Sequence, residues 1–160
     1  MENKRPSWDE YFMNVAHSVR ERATCDRGRA GSVIVKDKRI LTTGYVGSPS
    51  GLAHCDDVGH IIKELKHENG EITKHCLRTI HSEINAILQA AKFGTAIDGA
   101  TLYTTMAPCP TCAKAIITAG IKRVVANKNY HWAEESKALF QEAGVEFNLL
   151  NQEITSYAEM

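Results

Sequence analysis

Residues 81–94 read HSEINAILQAAKFG. Apolar side chains fall at Ile84, Ile87, Leu88 and Ala91, three and four apart, which is the spacing of one helix face. Gly94 follows, and glycine commonly ends a helix. A second segment of this kind runs over 110–119 before Gly120, and a third over 132–143 before Gly144. Between and after them, residues 101–105, 123–126 and 145–150 read as short strands. Strands alternating with helices indicate a sheet covered by helices.

Upstream, Trp8, Tyr11, Phe12, Val15 and Val19 keep helical spacing, and Ser7 can cap the start. Residues 32–35 and 39–45 read as two strands joined by a turn at Lys36, Asp37 and Lys38, a β-hairpin. Residues 47–74 break the rhythm. They are rich in Gly, Ser, His and Asp and read as a long loop, with a short helix expected over 58–67. Loops of that length usually carry function or are disordered. The tail from Asn151 is polar and is expected to fray. The 160 residues fit one domain. The expected organisation is a single domain over 1–160, with a His/Cys-rich loop at 47–80 and a polar tail at 151–160.

Nineteen basic and nineteen acidic residues give a net charge of zero. Proteins that grip a long nucleic acid carry a basic stripe that displaces counterions. The densest basic stretch here, Arg20 to Arg29, is interrupted by Glu21 and Asp26. A small substrate is therefore expected, with no polymeric nucleic acid as partner. No apolar run reaches the roughly 20 residues needed to span a bilayer, and residues 1–10 lack a signal-peptide core. A cytoplasmic protein with no membrane partner is expected. Its five cysteines, an odd number, then point to metal binding or burial rather than disulfides.

Two motifs carry chemistry. Cys109 and Cys112 stand three apart at the start of a helix, on one face, so both can grip one ion. The helix N-terminus favours negative charge and hence thiolate, and Pro110 suits the first turn. His81, opening another helix, can supply a third ligand, leaving the fourth position of a zinc ion for water. Two thiolates and a neutral imidazole balance Zn²⁺, which acidifies bound water. Glu83, two residues from His81, would sit near the metal without binding it and can shuttle protons. Ser82 and Pro108 flank these groups and would shape the backbone around the zinc. His-x-Glu with Pro-Cys-x-x-Cys is the known signature of zinc deaminases.

Residues 75–87, HCLRTIHSEINAI, resemble deoxycytidylate (dCMP) deaminases, including the competence-operon members, as do residues 8–13 and 115–122. The resemblance extends from about Ser7 to Tyr130. It implies the three-layer α/β/α cytidine-deaminase-like fold around a five-stranded mixed sheet. It implies hydrolysis of dCMP to dUMP and ammonia, a source of thymidylate precursor, and a likeness in assembly, a homo-oligomer and often a hexamer. It further implies activation by dCTP with Mg²⁺ and inhibition by dTTP, with residues 44–51, Arg27 and Arg29 as candidates for that site. Asn85 matches an asparagine expected either to contact the sugar or to cap a helix. Tyr130 matches a tyrosine expected either to pack on the base or to fill the core. Lys92 is either a phosphate ligand or a surface lysine. Some relatives hold a second, structural zinc, for which Cys25, Cys55, His75 and Cys76 are the candidates, with His54 nearby; the alternative is buried free thiols.

One position departs from the family. Residues 44–49 resemble its Gly-Tyr-Asn-Gly-x-Pro loop, but Val46 stands at the asparagine. Valine offers no side-chain hydrogen bond to substrate. Rival readings are a related deaminase acting on dCTP, deoxycytidine, guanine or transfer-RNA adenosine, and a non-catalytic zinc protein that binds partners. A structural zinc would be closed by four protein ligands.

Overall fold

Strand β1 (Gly31–Lys36) carries Val33, Ile34 and Val35 in succession, all buried. Successive strand residues face opposite sides of a sheet, so this run needs cover on both. The computed structural model, which describes residues 4–130, 132–151 and 154–155, supplies it. Helix α1 (Trp8–Arg20) lies on one face. Its Phe12, Met13 and Ala16 pack on Val33, Val35, Tyr103 and Val125. Helices α3 (Ser82–Phe93), α4 (Pro110–Thr118) and α5 (Ala133–Glu142) cover the other. There Ala86, Ala90, Ile116 and Phe140 meet Ile34, Leu102 and Val124. Neighbours in sequence thus divide between two cores, and the expected three-layer fold is the one observed.

The sheet order is β2-β1-β5-β6-β7, with β2 (Arg39–Tyr45), β5 (Thr101–Met106), β6 (Arg123–Tyr130) and β7 (Glu146–Leu149). β1 is antiparallel to β2 and β5, whereas β5, β6 and β7 run parallel. The β1–β2 turn places Asp37 and Lys38 at φ of 50° and 60°, the left-handed pair that matches strand twist in a tight hairpin. Ser7 and Glu10 form a reciprocal capping box at α1. Asp9 of that helix receives Arg123 Nη1 and Nη2 at 2.8 and 2.7 Å and the Tyr103 hydroxyl at 2.7 Å, tying α1 to β5 and β6.

Three expectations need correction. The helix expected over 58–67 is absent. One turn, α2 (Cys55–Val58), ends at Gly59, where φ is 79°. A hairpin then follows, β3 (Ile62–Lys66) and β4 (Ile72–Cys76), antiparallel. The Asn69-Gly70 turn, with Gly70 at φ 83°, is a strong hairpin signal. It goes unheeded because β3 is exposed along its whole length and shows no alternation. Strand β6 runs four residues beyond the expected end at Ala126, to Tyr130. In the tail, Ile154–Thr155 form β8, parallel to the end of β6, rather than fraying; its other expected polar residues, 152–153 and 156–160, lie outside the described residues.

Candidate active site

Two helix mouths meet at one end of the sheet. His81 is the N-cap of α3 and Cys109 the N-cap of α4, both extended in backbone and neither spending its side chain on the cap. Pro110 occupies the first turn of α4, where a missing N–H costs nothing. α3 reaches this position because Gly44 lets it lie directly on β2. A Cβ there would stand 2.3 Å from the Ser82 carbonyl oxygen and 2.4 Å from the Ala86 nitrogen.

His81 Nδ1 consequently lies 3.3 Å from Cys112 Sγ and 3.6 Å from Cys109 Sγ. All three donor atoms are within 4.8 Å of one another. Tetrahedral zinc, with Zn–S near 2.3 Å and Zn–N near 2.05 Å, sets a sulfur–nitrogen separation of about 3.6 Å. The donor set and its spacing therefore fit zinc, and three protein ligands leave a fourth position for water. Cys109 is drawn down to about 4, chiefly by its bond with Cys112, against burial and with help from His81. The same bond, with burial, pushes the Cys112 thiol up. His81 rises to about 9, chiefly through Cys109 and against burial.

Glu83 is buried, only 5% exposed. The Ser82 hydroxyl donates to its Oε2 at 3.1 Å and is itself 2.8 Å from Ser32 Oγ on β1. Burial raises its pKa, with the neighbouring His81 charge opposing. A carboxyl raised towards neutrality can both take and give a proton. Pro108 is fully buried just ahead of Cys109. A cleft of about 280 Å³ opens on these groups, walled by Ala30, Val46, His81, Glu83, Cys109 and Tyr130. Burial, with the two nearby cysteines, pushes the Tyr130 hydroxyl up, so it stays protonated.

Other expected residues fall elsewhere. Asn85 donates to the Tyr45 carbonyl at 2.9 Å and accepts from Gln89 at 3.4 Å, fastening α3 to β2 rather than facing the cleft. Lys92 sits in the last turn of α3, eleven residues after His81 and so roughly 16 Å along the helix from it, with its ammonium over the Phe93 ring. Arg29 bonds the Ala23 carbonyl and pairs with Asp56 at 3.3 Å. Arg27, by contrast, lines a second cleft, of about 440 Å³, that shares Val46 and His81 with the first.

A second cluster forms at the base of the hairpin. The side-chain donors of Cys25, Cys55, His60 and Cys76 lie within 4.8 Å of one another. Cys55 and Cys76 sulfurs are 3.6 Å apart, far beyond a disulfide's roughly 2.05 Å and close to the roughly 3.8 Å two thiolates take around one zinc. His60 Nδ1 faces Cys25 Sγ at 3.6 Å while its Nε2 meets the Asp26 carboxylate at 2.9 Å. A carboxylate behind a histidine orients it as a metal ligand. His75, expected here, instead stacks on Trp132, with ring centroids 5.5 Å apart, and His54 meets the Thr24 hydroxyl at 3.0 Å. The spacing Cys55-x₄-His60 is the sequence signal for the fourth member of this cluster, and the exposed, unpatterned β3 that follows it masks that signal.

A mixed sheet between helix layers, with a His/Cys₂ triad and a buried glutamate at two adjoining helix mouths, defines the class of zinc-dependent deaminase enzymes. The family model for the cytidine and deoxycytidylate deaminase zinc-binding region matches residues 6–128, and the chain belongs to that family. ComE operon protein 2 of Bacillus subtilis (strain 168) is 45% identical over 142 residues, covering 89% of this chain and 70% of its own length. The deoxycytidylate deaminase of Schizosaccharomyces pombe is 37% identical over 142 residues, but the chain spans only 44% of that longer protein. Among solved structures, dCMP deaminase from the cyanophage S-TIM5 in complex with dCMP and dUMP is similar with a TM-score of 0.72 and 30% identity, covering 92% of this chain and 99% of that one.

Proposed function

We propose that this enzyme hydrolyses dCMP to dUMP and ammonia, with His81, Cys109 and Cys112 as zinc ligands and Glu83 as proton carrier. The convergence of His81 Nδ1 with both sulfurs beside the buried Glu83 carboxylate carries the reading. The similarity to a structure described with dCMP and dUMP supports the substrate. Zinc, when bound, supplies an acidified water and a Lewis acid. Glu83 takes a proton from the attacking water and delivers it to N3 of cytosine. It then passes the second to the departing amino group at C4. The new C4–O bond replaces the C4–N bond, and water plus dCMP balances dUMP plus ammonia. The Ser82 hydroxyl steadies the carboxylate during both transfers, and Tyr130 and Val46 wall the base. Glu83→Ala is expected to abolish the fall in ultraviolet absorbance on dCMP while leaving zinc bound. Near-normal turnover in that variant would sink the assignment.

The same proposal places a second, structural zinc among Cys25, Cys55, His60 and Cys76, whose spacing and soft donors suit it. Elemental analysis is expected to give two zinc ions per chain, falling to one in Cys55→Ser. Control by dCTP with Mg²⁺ and by dTTP, and assembly as a homo-oligomer, rest on the family resemblance. They are tested by turnover with each nucleotide and by sedimentation. A cytoplasmic setting is part of the reading, supported by five free cysteines that need a reducing milieu. Among the described residues no helix is long and apolar enough to cross a membrane.

A further inference from the structure

We infer that Ser32 is a positioning residue for the reaction: acting through Ser82, it ties Oε2 of Glu83 back into the sheet and leaves Oε1 as the oxygen that moves protons. This rests on the reading of Glu83 as proton carrier. Ser32 lies on β1 in register with Gly44 of β2, the glycine that lets the first turn of α3 lie on the sheet. Its hydroxyl is 2.8 Å from the Ser82 hydroxyl, which in turn is 3.1 Å from Glu83 Oε2. Both serines are wholly buried and Glu83 nearly so. A buried hydroxyl is costly without a partner. Replacing two bonded hydroxyls by apolar groups of the same shape is close to neutral for a fold. The pair is therefore not explained by packing, and the group it reaches is the catalytic carboxylate.

The donors run one way. An ionised carboxylate only accepts hydrogen bonds, so the single Ser82 proton points at Oε2. The Ser82 oxygen then accepts, and the Ser32 hydroxyl is its donor. Each link of such a chain polarises the next. The chain also serves once Glu83 carries a proton. That hydrogen sits on Oε1, and Oε2 becomes the carbonyl oxygen, which still accepts from Ser82. No hydroxyl has to turn between the two transfers. Glu83 walls the first cleft, and its Oε2 is spent on Ser82. Oε1 therefore takes each proton from the attacking water and releases it, first to N3 and then to the departing amino group. Among the described residues that wall the cleft neither serine appears, so Ser32 acts through its neighbours and not on the substrate.

The test is a double-mutant cycle on the zinc-loaded enzyme: Ser32→Ala, Ser82→Ala and both together, with Ser136→Ala as control. Ser136 is a buried serine on α5 whose hydroxyl has no hydrogen-bond partner among the described residues. On dCMP, kcat is expected to fall about 10–100-fold in Ser82→Ala, which takes a hydrogen bond from a charged group, and about 2–10-fold in Ser32→Ala. KM should hold in both, since neither serine meets the substrate. The losses should not multiply: once Ser82 is replaced, replacing Ser32 should change kcat no further. Ser136→Ala should match wild type. Infrared difference spectra against Glu83→Gln give a second readout that needs no turnover. The Glu83 carboxyl band should shift in Ser82→Ala and shift in part in Ser32→Ala. Where Ser82→Ala folds poorly, Ser32→Ala alone still decides, through kcat and the band. Multiplying losses, a wild-type kcat in Ser32→Ala, or a band that Ser32→Ala leaves in place overturns the inference. Failure of wild type to deaminate dCMP refutes the proposed reaction instead, and the infrared bands still decide the hydroxyl chain.

Discussion

Replacing Gly44 with alanine tests how the fold sets the site. The added methyl would stand 2.3 Å from the Ser82 carbonyl oxygen and 2.4 Å from the Ala86 backbone nitrogen, where ordinary contact begins at 3.4 Å. Both obstacles are backbone atoms of α3, so no side chain can swing aside. The helix must retreat by about 1 Å, the shortfall between those distances. It carries Glu83 and is capped by His81, whereas Cys109 and Cys112 sit on α4 and stay behind. The separations of 3.3 and 3.6 Å between His81 Nδ1 and the two sulfurs would open accordingly. Misplacing catalytic groups by about 1 Å costs roughly 10²-fold in rate. Overpacking costs about 1–3 kcal/mol, which for a chain of this size lowers Tm by about 2–12 °C. Steady-state turnover on dCMP, thermal unfolding and zinc content read the three consequences together. An alanine variant with wild-type kcat/KM and full zinc would refute the claim that contact between Gly44 and α3 sets the site.

Asp9 gives a pH prediction. Arg123 holds its carboxyl below the usual range, against burial and with help from Tyr103. A depressed native pKa stabilises the fold fully above the unfolded value near 3.8 and is lost as pH falls below it. Arg123→Gln should thus be less stable than wild type in urea at pH 7, with the gap closing below about pH 4; a gap that persists at pH 2 rejects the account. Cys109 is lowered to about 4, while Cys55 is raised to about 12 by burial. After chelation, iodoacetamide at pH 6 should label Cys109 well before Cys55, and restored zinc should protect it; equal labelling counts against the assignment. If the second cluster holds the proposed zinc, Asp26→Ala, which removes the carboxylate behind His60, should weaken that zinc by about 10–100-fold, read by competition with a chromogenic chelator. Unchanged affinity would show that His60 needs no such support.

Some parts of this molecule were legible in sequence because local chemistry decides them. Helix α3 announces itself by period and by its terminal glycine, and the structure puts Gly94 at φ 65° as a left-handed cap. His81, Cys109 and Cys112 could be grouped because each opens a helix, and helix mouths on parallel strands gather at one end of a sheet. What escaped depended on contacts distant in sequence. Nothing near Asn85 shows that the Tyr45 carbonyl, forty residues back, will claim its amide. Lys92 shares a helix with the site residues, but helical rise carries it roughly 16 Å away. His60 and His75 lie in one poorly patterned stretch, and only the pairing of β3 with β4 separates one for the cluster and the other for Trp132.

That pairing raises a question of stability. A two-stranded ribbon alone is marginal in water, and β3 is exposed at every position. The ribbon must be held by contacts outside itself. At one end Cys76 joins Cys25, Cys55 and His60. Along one side, His67 near the turn and His75 beside Cys76 both rest on Trp132, with centroids 4.9 and 5.5 Å away, and both bond the Thr73 hydroxyl. Cys25 lies two residues before Arg27, and Cys76 two after Lys74. Fixing the two sulfurs in one cluster therefore fixes how Arg27 and Lys74 stand to each other across the second cleft. Trp132 lies 6.0 Å from Tyr130 in the wall of the first cleft, so the second clamp joins the ribbon to the base pocket. A segment with little core of its own is thus placed by polar and aromatic contacts, and those contacts border the two clefts.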